Sequence, residues 1–371
     1  MDSKILKSIE YLKHTKPQDL SSFLQSTFKD KNIAIYGAGA FGKEIASVFL
    51  RHNIKPKFFL DIKQEGSLFD IPIIHPKKLE DHESIVVLAI VLHKTKRMQI
   101  MSYMHSLGLH NIVDAQTIRA LYVNLNGDFS YEYFMSKISE ILKPLTYLAD
   151  KESKETYAKN LIAHITRSYI DTKETDEETQ YFVKNVPFKR GCKFLIDCGA
   201  YIGDTFLECL KQNAELEEYI GFEPILESYE QLVNNIEHTT VKAMAMPVAV
   251  SNQTKVVEFT NMLGSSTINN NAYHCSKITT MCFRLDDLVH NYSSPTMIKM
   301  DIEGEEINAL NGAKNLIKYA QPELAISVYH IINHFWEIPN MLYGWNLDYE
   351  FYLRTHSSAC METVLYAVKK D

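Results

Sequence analysis

Two glycine-rich turns, each directly after an apolar segment, constrain the fold of this chain more than any other feature. The first apolar segment, residues 32–36, runs into Gly37-Ala38-Gly39-Ala40-Phe41-Gly42, and the second, residues 193–197, runs into Cys198-Gly199-Ala200-Tyr201-Ile202-Gly203. A strand, a glycine turn and a helix in that order open a parallel α/β unit. The sequence therefore predicts an α/β protein with two such units.

Further apolar segments alternate with helically spaced ones in both halves of the chain, which is typical of a doubly wound sheet. Between the halves, apolar residues recur at helical spacing with dense charge and almost no Gly or Pro. We therefore predict two Rossmann-like domains, residues 1–125 and 191–371, joined by a helical connector over residues 126–190. The other predicted strands are residues 56–60, 85–92, 111–114, 219–223, 248–250, 256–260, 297–301, 324–329 and 362–368.

Charge and cysteine content exclude several classes of protein. The 39 Lys and Arg residues are outnumbered by 46 Asp and Glu residues, so the basic footprint of a nucleic-acid binder is missing. The longest apolar run, residues 85–92, is far shorter than the roughly 20 residues that span a bilayer. The six cysteines include no Cys-x-x-Cys pair and the N-terminus lacks a signal-peptide pattern. These features predict a reduced cytoplasmic protein without a membrane span or a nucleic-acid partner.

The second glycine turn carries an acidic pattern. Asp197 precedes the turn, and Glu223 ends the next predicted strand 26 residues later. An acidic residue at the tip of the second strand is placed to bind the two hydroxyls of a ribose. Asp197 would repel a phosphate and attract a cationic group, so the pair favours S-adenosylmethionine, which carries a sulfonium and an adenosine but no phosphate. The other interpretation is two ordinary α/β turns with incidental acidic residues.

From about Lys193 to the C-terminus the chain resembles the FkbM family of S-adenosylmethionine-dependent O-methyltransferases. This resemblance implies a class I methyltransferase fold and methylation of a hydroxyl on a sugar, a nucleotide-sugar or a related glycan or secondary-metabolite acceptor. The chain departs from the family pattern at two positions, Cys198 and Tyr201. At the position of Tyr201, Asn is common in the family. The motifs that carry the resemblance are residues 196–205, Gly221-Phe222-Glu223-Pro224, Gly264-Ser265-Ser266, residues 284–288, Ile298-Lys299-Met300-Asp301-Ile302-Glu303-Gly304-Glu305-Glu306, residues 322–330 and residues 362–367. The residues expected to hold the cofactor are Asp197, Gly199, Ala200, Tyr201, Gly203, Asp204 and Glu223.

The proton of an attacking hydroxyl must leave during methyl transfer, so a general base is expected near the acceptor. Asp301 and Glu303 lie where a predicted strand ends and runs into a helix, and His330 ends the next strand; these three residues are the catalytic candidates. The competing interpretation of the two carboxylates is helix capping. Oxygen ligands with a histidine also suit Mg²⁺. The sequence contains no tight ligand motif, however, and so predicts no metal site.

The first glycine turn suggests a second ligand. Gly37, Gly39 and Gly42 form a full Gly-x-Gly-x-x-Gly, and Asp61 ends the next predicted strand. This pattern is typical of dinucleotide binding, with the pyrophosphate at the helix N-terminus and the acid on a ribose. It supports two alternatives to methylation, an NAD-dependent oxidoreductase and a nucleotide-sugar-binding module, while a purely structural turn also fits. Within the methyltransferase interpretation, this domain is expected to hold a nucleotide or a carrier-linked sugar acceptor. Homodimerisation is left open.

Overall fold

The computed structural model describes residues 19–89, 94–122, 131–166, 180–212, 215–262, 265–267, 276–288, 294–357, 360 and 362–370. The chain divides into two compact units. The first comprises Met1–Lys137, Ala158–Glu174 and Ser357–Cys360, and the second comprises Ile138–Tyr157, Thr175–His356 and Met361–Asp371.

The first unit contains a six-stranded sheet in the order β3-β4-β2-β1-β5-β6, in which only β3 runs antiparallel to its neighbour. Strand β1 is central and every one of its four residues is buried, which explains its uninterrupted apolar sequence. The strands are β1 (Ile33–Tyr36), β2 (Phe58–Leu60), β3 (Gly66–Leu68), β4 (Ile71–Ile74), β5 (Ile85–Leu88) and β6 (Ile112–Asp114). The helices are α1 (Leu20–Phe28), α2 (Ala40–Arg51), α3 (Lys94–Ser106), α4 (Ala115–Tyr122) and α5 (Tyr131–Ser136), with a 3₁₀ turn at Pro76–Lys78.

The second unit contains a seven-stranded sheet and a smaller four-stranded sheet, whose strands lie between β9 and β14 in the sequence. Its strands are β7 (Phe194–Cys198), β8 (Glu218–Phe222), β9 (Lys242–Met246), β10 (Ala249–Val250), β11 (Lys255–Met262), β12 (Ser265–Thr267), β13 (Ser276–Phe283), β14 (Met297–Met300), β15 (Glu323–Ser327), β16 (Tyr349–Thr355) and β17 (Thr363–Lys369). The helices after α5 are α6 (Ile138–Leu142), α7 (Lys151–Thr166), α8 (Asp204–Gln212), α9 (Leu226–Glu237), α10 (Leu285–Leu288), α11 (Glu306–Gly312), α12 (Lys314–Ala320) and α13 (His334–Gly344), with a 3₁₀ turn at Lys143–Thr146. Of these, α7 is divided between the units, since its residues from Ala158 onward belong to the first.

The order of the large sheet locates a ligand site before any side chain is considered. The strands follow one another as β9-β8-β7-β14-β15-β17-β16; β17 pairs antiparallel with β15 and β16, and the other pairs are parallel. The chain winds outward from β7 in one direction and from β14 in the other, so the strand order reverses between them. In open α/β sheets, ligands bind outside the carboxyl ends of the strands at such a reversal.

The predicted α/β class with largely parallel sheets is confirmed. Several features were not predicted: the β3–β4 hairpin, strands β9 and β16 of the large sheet, and the separate four-stranded sheet β10-β13-β11-β12. The strand predicted over residues 85–92 ends at Leu88, and residues 90–93 lie outside the described part of the chain.

The predicted connector over residues 126–190 is helical in α5, α6 and α7 but forms turns and bends over residues 180–190, while residues 123–130 and 167–179 lie outside the described part. It is divided between the two units, since residues 138–157 belong to the second. Among the described residues, no helix combines the length and the apolar character that crossing a membrane requires.

Candidate active site

The carboxyl ends of β7 and β14 meet at the strand-order reversal. The backbone N–H of Asp301, just after β14, donates to the carbonyl oxygen of Cys198 at 3.0 Å. Gly199 has a φ of +78°, and a Cβ atom placed on it would lie 1.9 Å from the carbonyl oxygen of Asp301. Only glycine therefore fits here, and the immediate reason is the close approach of the neighbouring strand end.

Glu223 follows β8 and reaches back across this turn. Its carboxylate accepts hydrogen bonds from the backbone N–H groups of Tyr201 at 2.9 Å and Ile225 at 2.8 Å, one on each oxygen. A carboxylate offers about four acceptor positions, so each oxygen keeps one for a ligand. Burial raises the pKa of Glu223 to about 7, against the two backbone donors that lower it. Tyr201, at φ +46°, presents a half-exposed side chain beside it.

Asp197 has a protein partner that the sequence analysis did not identify. The parallel register places Asp197 of β7 opposite Lys299 of β14, and Lys299 Nζ lies 3.0 Å from Asp197 Oδ1. Tyr219 donates its hydroxyl to Asp197 Oδ2 at 3.0 Å, and Lys299 also donates to the carbonyl of Gly199 at 2.6 Å. Asp197 is 0% exposed. Its charge is balanced inside the sheet, and the predicted contact with the methionine part of a cofactor stays a prediction.

The other predicted cofactor residues shape the same turn. Ala200 is buried, and Gly203 has a φ of +85° with Leu232 Cδ1 only 2.9 Å from where its Cβ would lie. Asp204 begins α8 and accepts a hydrogen bond from the N–H of Thr205 at 2.9 Å, as an acid in a first helical turn does. Ser265 and Ser266 lie in β12, but their side chains are outside the described part of the structure.

The three catalytic candidates come together after β14 and β15. His330 Nε2 lies 3.3 Å from Asp301 Oδ1 and 3.6 Å from Glu303 Oε2. On the other side of the ring, His330 Nδ1 lies 2.8 Å from Glu306 Oε1. Glu306, the first residue of α11, is fully buried and also contacts His334 Nδ1 at 3.0 Å. We call Asp301, Glu303, Glu306 and His330 the carboxylate–histidine cluster.

The charges within this cluster depend on one another. Burial by itself would lower the pKa of His330, but Glu306 and then Asp301 and Glu303 raise it to about 10. Burial likewise opposes ionisation of Glu306, yet the two histidine rings lower its pKa. Burial raises the pKa of Glu303 to about 7. At neutral pH the ring is an imidazolium between carboxylates, so in this arrangement His330 is not itself a ready proton acceptor.

Further residues around the cluster were not predicted from the sequence. Tyr181 donates its hydroxyl to Asp301 Oδ2 at 2.8 Å, and its ring lies 5.1 Å below Lys299 Nζ. Gln180 donates to Glu362 Oε2 at 2.8 Å, and the Tyr329 hydroxyl lies 3.4 Å from Asp301 Oδ1. Gln180 and Tyr181 lie within residues 126–190, which the sequence predicts to be a helical connector. Nothing in the sequence therefore indicated that their polar side chains contribute to a site.

The first glycine turn, in the other unit, has the predicted shape. Gly37 has a φ of +102° and Gly39 precedes α2 as its cap. Asp61 accepts three backbone N–H groups, from Ala38 at 3.1 Å, Lys63 at 2.8 Å and Gln64 at 3.0 Å. Three of its roughly four acceptor positions are therefore used within the protein. Nucleotide binding by this turn stays a prediction.

Two substitutions separate packing from ligand binding at this turn. A Cβ on Gly39 meets nothing within 4 Å, whereas a Cβ on Gly42 would lie 1.8 Å from the carbonyl oxygen of Gly37. We expect Gly39→Ala to change the free energy of unfolding by less than about 1 kcal/mol, and Gly42→Ala to lower it by more than about 2 kcal/mol. Urea denaturation measures both. Gly39→Val then tests ligand binding in a folded protein. If calorimetric titrations with NADH and UDP-sugars give the same result for this variant as for wild type, the turn has a structural role and does not bind a nucleotide.

Comparisons with known proteins show which family and which solved structures this chain is similar to. The family model described as the methyltransferase FkbM domain matches residues 197–351. The crystal structure of methyltransferase FkbM from Methylobacillus flagellatus KT superposes with a TM-score of 0.70 at 21% sequence identity, covering 98% of each chain. The structure of a fibrillarin/Nop5p complex gives a TM-score of 0.34 at 11% identity over 53% of this chain and 81% of that one, too low to bear on the fold. None of the curated proteins compared with the chain matches it.

Proposed function

We propose, from the premise that residues 197–351 belong to the FkbM methyltransferase domain family, that this protein transfers a methyl group from S-adenosylmethionine to a hydroxyl of a sugar or related acceptor. One observation carries the proposal most directly. The Glu223 carboxylate is held across the glycine turn at the strand-order reversal by one N–H on each oxygen, which leaves acceptor positions for two hydroxyls.

The residues at this edge fit such a cofactor. A ribose needs a fixed acceptor for its diol, which Glu223 supplies, and the turn over residues 199–203 contains no lysine or arginine that could pair with a phosphate. Lys299, in β14 beside the turn, is occupied by Asp197 and by the carbonyl of Gly199. The donor set therefore favours a nucleoside without a phosphate over NAD. When bound, S-adenosylmethionine supplies an electrophilic methyl group on its sulfonium.

The protein's own residues then have to position an acceptor and receive its proton. Asp301 and Glu303 follow β14, next to the turn that holds Glu223, so an acceptor hydroxyl placed there meets carboxylate oxygens. Tyr181 donates to Asp301 and fixes the orientation of that carboxylate. Methyl transfer is an in-line displacement whose rate depends largely on alignment, which such fixed groups provide.

Calorimetry with S-adenosylhomocysteine tests the proposal. We expect the full chain to bind it and Glu223→Ala to weaken binding about 10- to 100-fold, because hydrogen bonds to a charged acceptor are lost. Glu230→Gln, on the exposed side of α9, is the matched control and should bind as wild type does. Unfolding temperatures of the variants show whether loss of the Tyr201 and Ile225 contacts disturbs the turn. Absence of S-adenosylhomocysteine binding, with NADH bound instead, would favour the oxidoreductase alternative.

The pH dependence of this binding follows from Glu223. Hydrogen bonds from hydroxyls favour the ionised carboxylate, and the pKa of about 7 means that the carboxyl is largely protonated at pH 6. Binding must then release a proton, so we expect S-adenosylhomocysteine to bind about tenfold more tightly at pH 8 than at pH 6. Titrations in two buffers of different ionisation enthalpy count the proton released. Glu223→Gln, which cannot ionise, should remove this dependence; a wild-type affinity that is constant over this range would contradict the assignment.

A further inference from the structure

We propose that Asp301, Glu303 and His330 bind a divalent cation, Mg²⁺ or Mn²⁺, and that this cation holds the acceptor hydroxyl; the second part rests on the proposed function. The first observation is geometric. Asp301, Glu306 and His330 each bring a ligand atom within 4.8 Å of the others, and Glu303 Oε2 lies 3.6 Å from His330 Nε2. Carboxylate oxygens together with an imidazole nitrogen form a donor set suited to these ions.

The second observation is the orientation of the histidine ring. Glu306 is a fully buried carboxylate whose Oε1 accepts the backbone N–H groups of Ile302 and Gly304 and lies 2.8 Å from His330 Nδ1, so Nδ1 carries the hydrogen and donates it. The opposite nitrogen, Nε2, then faces Asp301 and Glu303. A histidine that ligates a metal characteristically donates its other N–H to a carboxylate, which fixes both the tautomer and the ring plane. Glu306 is in this position.

The third observation is that Nε2 has no hydrogen-bond partner. The His330 side chain is 7% exposed, and Nε2 makes no hydrogen bond although it is buried among acceptors. An unpartnered buried polar atom in this environment requires an explanation. A proton on Nε2 and a cation bound to it are alternatives, because each neutralises the same two carboxylates.

The distances suit a cation without rearrangement of the backbone. Ligand bonds of about 2.0–2.2 Å place two neighbouring ligand atoms about 3 Å apart. The separations of 3.3 Å from His330 Nε2 to Asp301 Oδ1 and of 3.6 Å to Glu303 Oε2 are close to this value.

The loop that carries Glu303 is itself held in place. Glu306 Oε1 accepts the backbone N–H groups of Ile302 at 3.1 Å and Gly304 at 3.3 Å. Glu303 and Gly304 both have positive φ angles, +56° and +105°. Glu306 therefore positions two of the three ligands, His330 through its side chain and Glu303 through the backbone.

The test is to treat the full chain with a chelator and then to titrate it with Mn²⁺ alone. Binding is measured by calorimetry and by the loss of the paramagnetic resonance signal of free Mn²⁺. We expect binding of one Mn²⁺, competed by Mg²⁺, and its loss in His330→Ala and in Asp301→Asn. Glu306→Gln should weaken binding about 10- to 100-fold, as expected when a carboxylate behind a ligand is neutralised. His238→Ala, an exposed histidine after α9, is the control. Glu303→Gln changes a partly exposed side chain and is expected to leave the protein folded. It therefore tests the contribution of this carboxylate to Mn²⁺ binding even if a substitution at a buried position unfolds the protein.

Failure of this proposal can be told apart from failure of the proposed function. Absence of Mn²⁺ binding at millimolar concentration, or binding that His330→Ala and Glu303→Gln leave unchanged, would overturn the cation site. If S-adenosylhomocysteine still binds and methyl transfer continues in chelator, the proposed function stands without it. If Mn²⁺ binds at these residues but no S-adenosylhomocysteine does, the cation site stands and the function is wrong.

Discussion

Replacing Lys299 with methionine is expected to lower the free energy of unfolding by about 3–5 kcal/mol, the cost of leaving a buried charge without its partner. Lys299 and Asp197 are 3% and 0% exposed in their side chains, and the 3.0 Å contact between them joins the two central strands of the large sheet. Burial would lower the pKa of Lys299, but Asp197 and the neighbouring carboxylates raise it, so the lysine is charged. Urea denaturation followed by circular dichroism measures the loss.

The control for Lys299 is Lys242→Met. Lys242 also lies on a strand, with Nζ 3.2 Å from Glu218 Oε1, but its side chain is 71% exposed, so we expect a change below about 1 kcal/mol. The double variant Lys299→Met with Asp197→Leu removes both charges and should recover most of the lost stability. A Lys299→Met variant as stable as wild type, or no recovery in the double variant, would show that the pair is not coupled as described.

Replacing Arg354 with methionine is expected to be comparably destabilising, by about 3–5 kcal/mol. Arg354, in β16, is 1% exposed, and its guanidinium donates to Asp150 Oδ2 at 2.6 Å, to Ser153 Oγ at 2.8 Å and to Asn185 Oδ1 at 3.1 Å. It therefore joins the helical segment before the large sheet to a strand of that sheet. Thermal unfolding of the full chain measures the effect.

Two comparisons check the interpretation of Arg354. Arg354→Lys keeps the charge but cannot make the forked contacts, so it should lose part of the same stability. Arg284→Met removes a partly exposed arginine paired with Asp286 and Asp287 and should have little effect.

Burial raises and Arg354 lowers the pKa of Asp150, and the net change is a lower pKa. The stabilisation from this pair is then present above the ordinary carboxyl pKa and is lost as the pH falls through the lowered one. An Arg354→Met variant with the same pH dependence as wild type would contradict this.

Much of the fold could be predicted because its signals are local. Each β-strand before a glycine turn is a run of buried residues that are apolar apart from Asp197, and the glycines themselves are required by positive φ angles at Gly37, Gly199 and Gly203. The β3–β4 hairpin was missed because its strands are three and four residues long and one of them is largely exposed. Short exposed strands lack the periodicity that distinguishes them from loops.

The candidate site could be predicted only in part. The acids at strand ends were visible because Asp197, Glu223 and Asp301 interrupt or end apolar runs, and strand ends collect ligands. Lys299 carried a similar signal, as a lysine within the apolar strand β14, but its partner depends on the register between β7 and β14. Glu306 was indistinguishable from an ordinary acid in a first helical turn.

The sequence by itself determined where strands, turns and helices lie and which acids stand at their ends, because these depend on neighbouring residues and on backbone conformations that only certain residue types adopt. The tertiary structure alone decided which of those groups meet. It paired Asp197 with Lys299, brought Tyr181 from 120 residues away onto Asp301, and set His330 between Glu306 and Asp301. Such contacts depend on strand order and register across the sheet, and electrostatic interactions in a buried site change steeply with distances that sequence spacing does not contain.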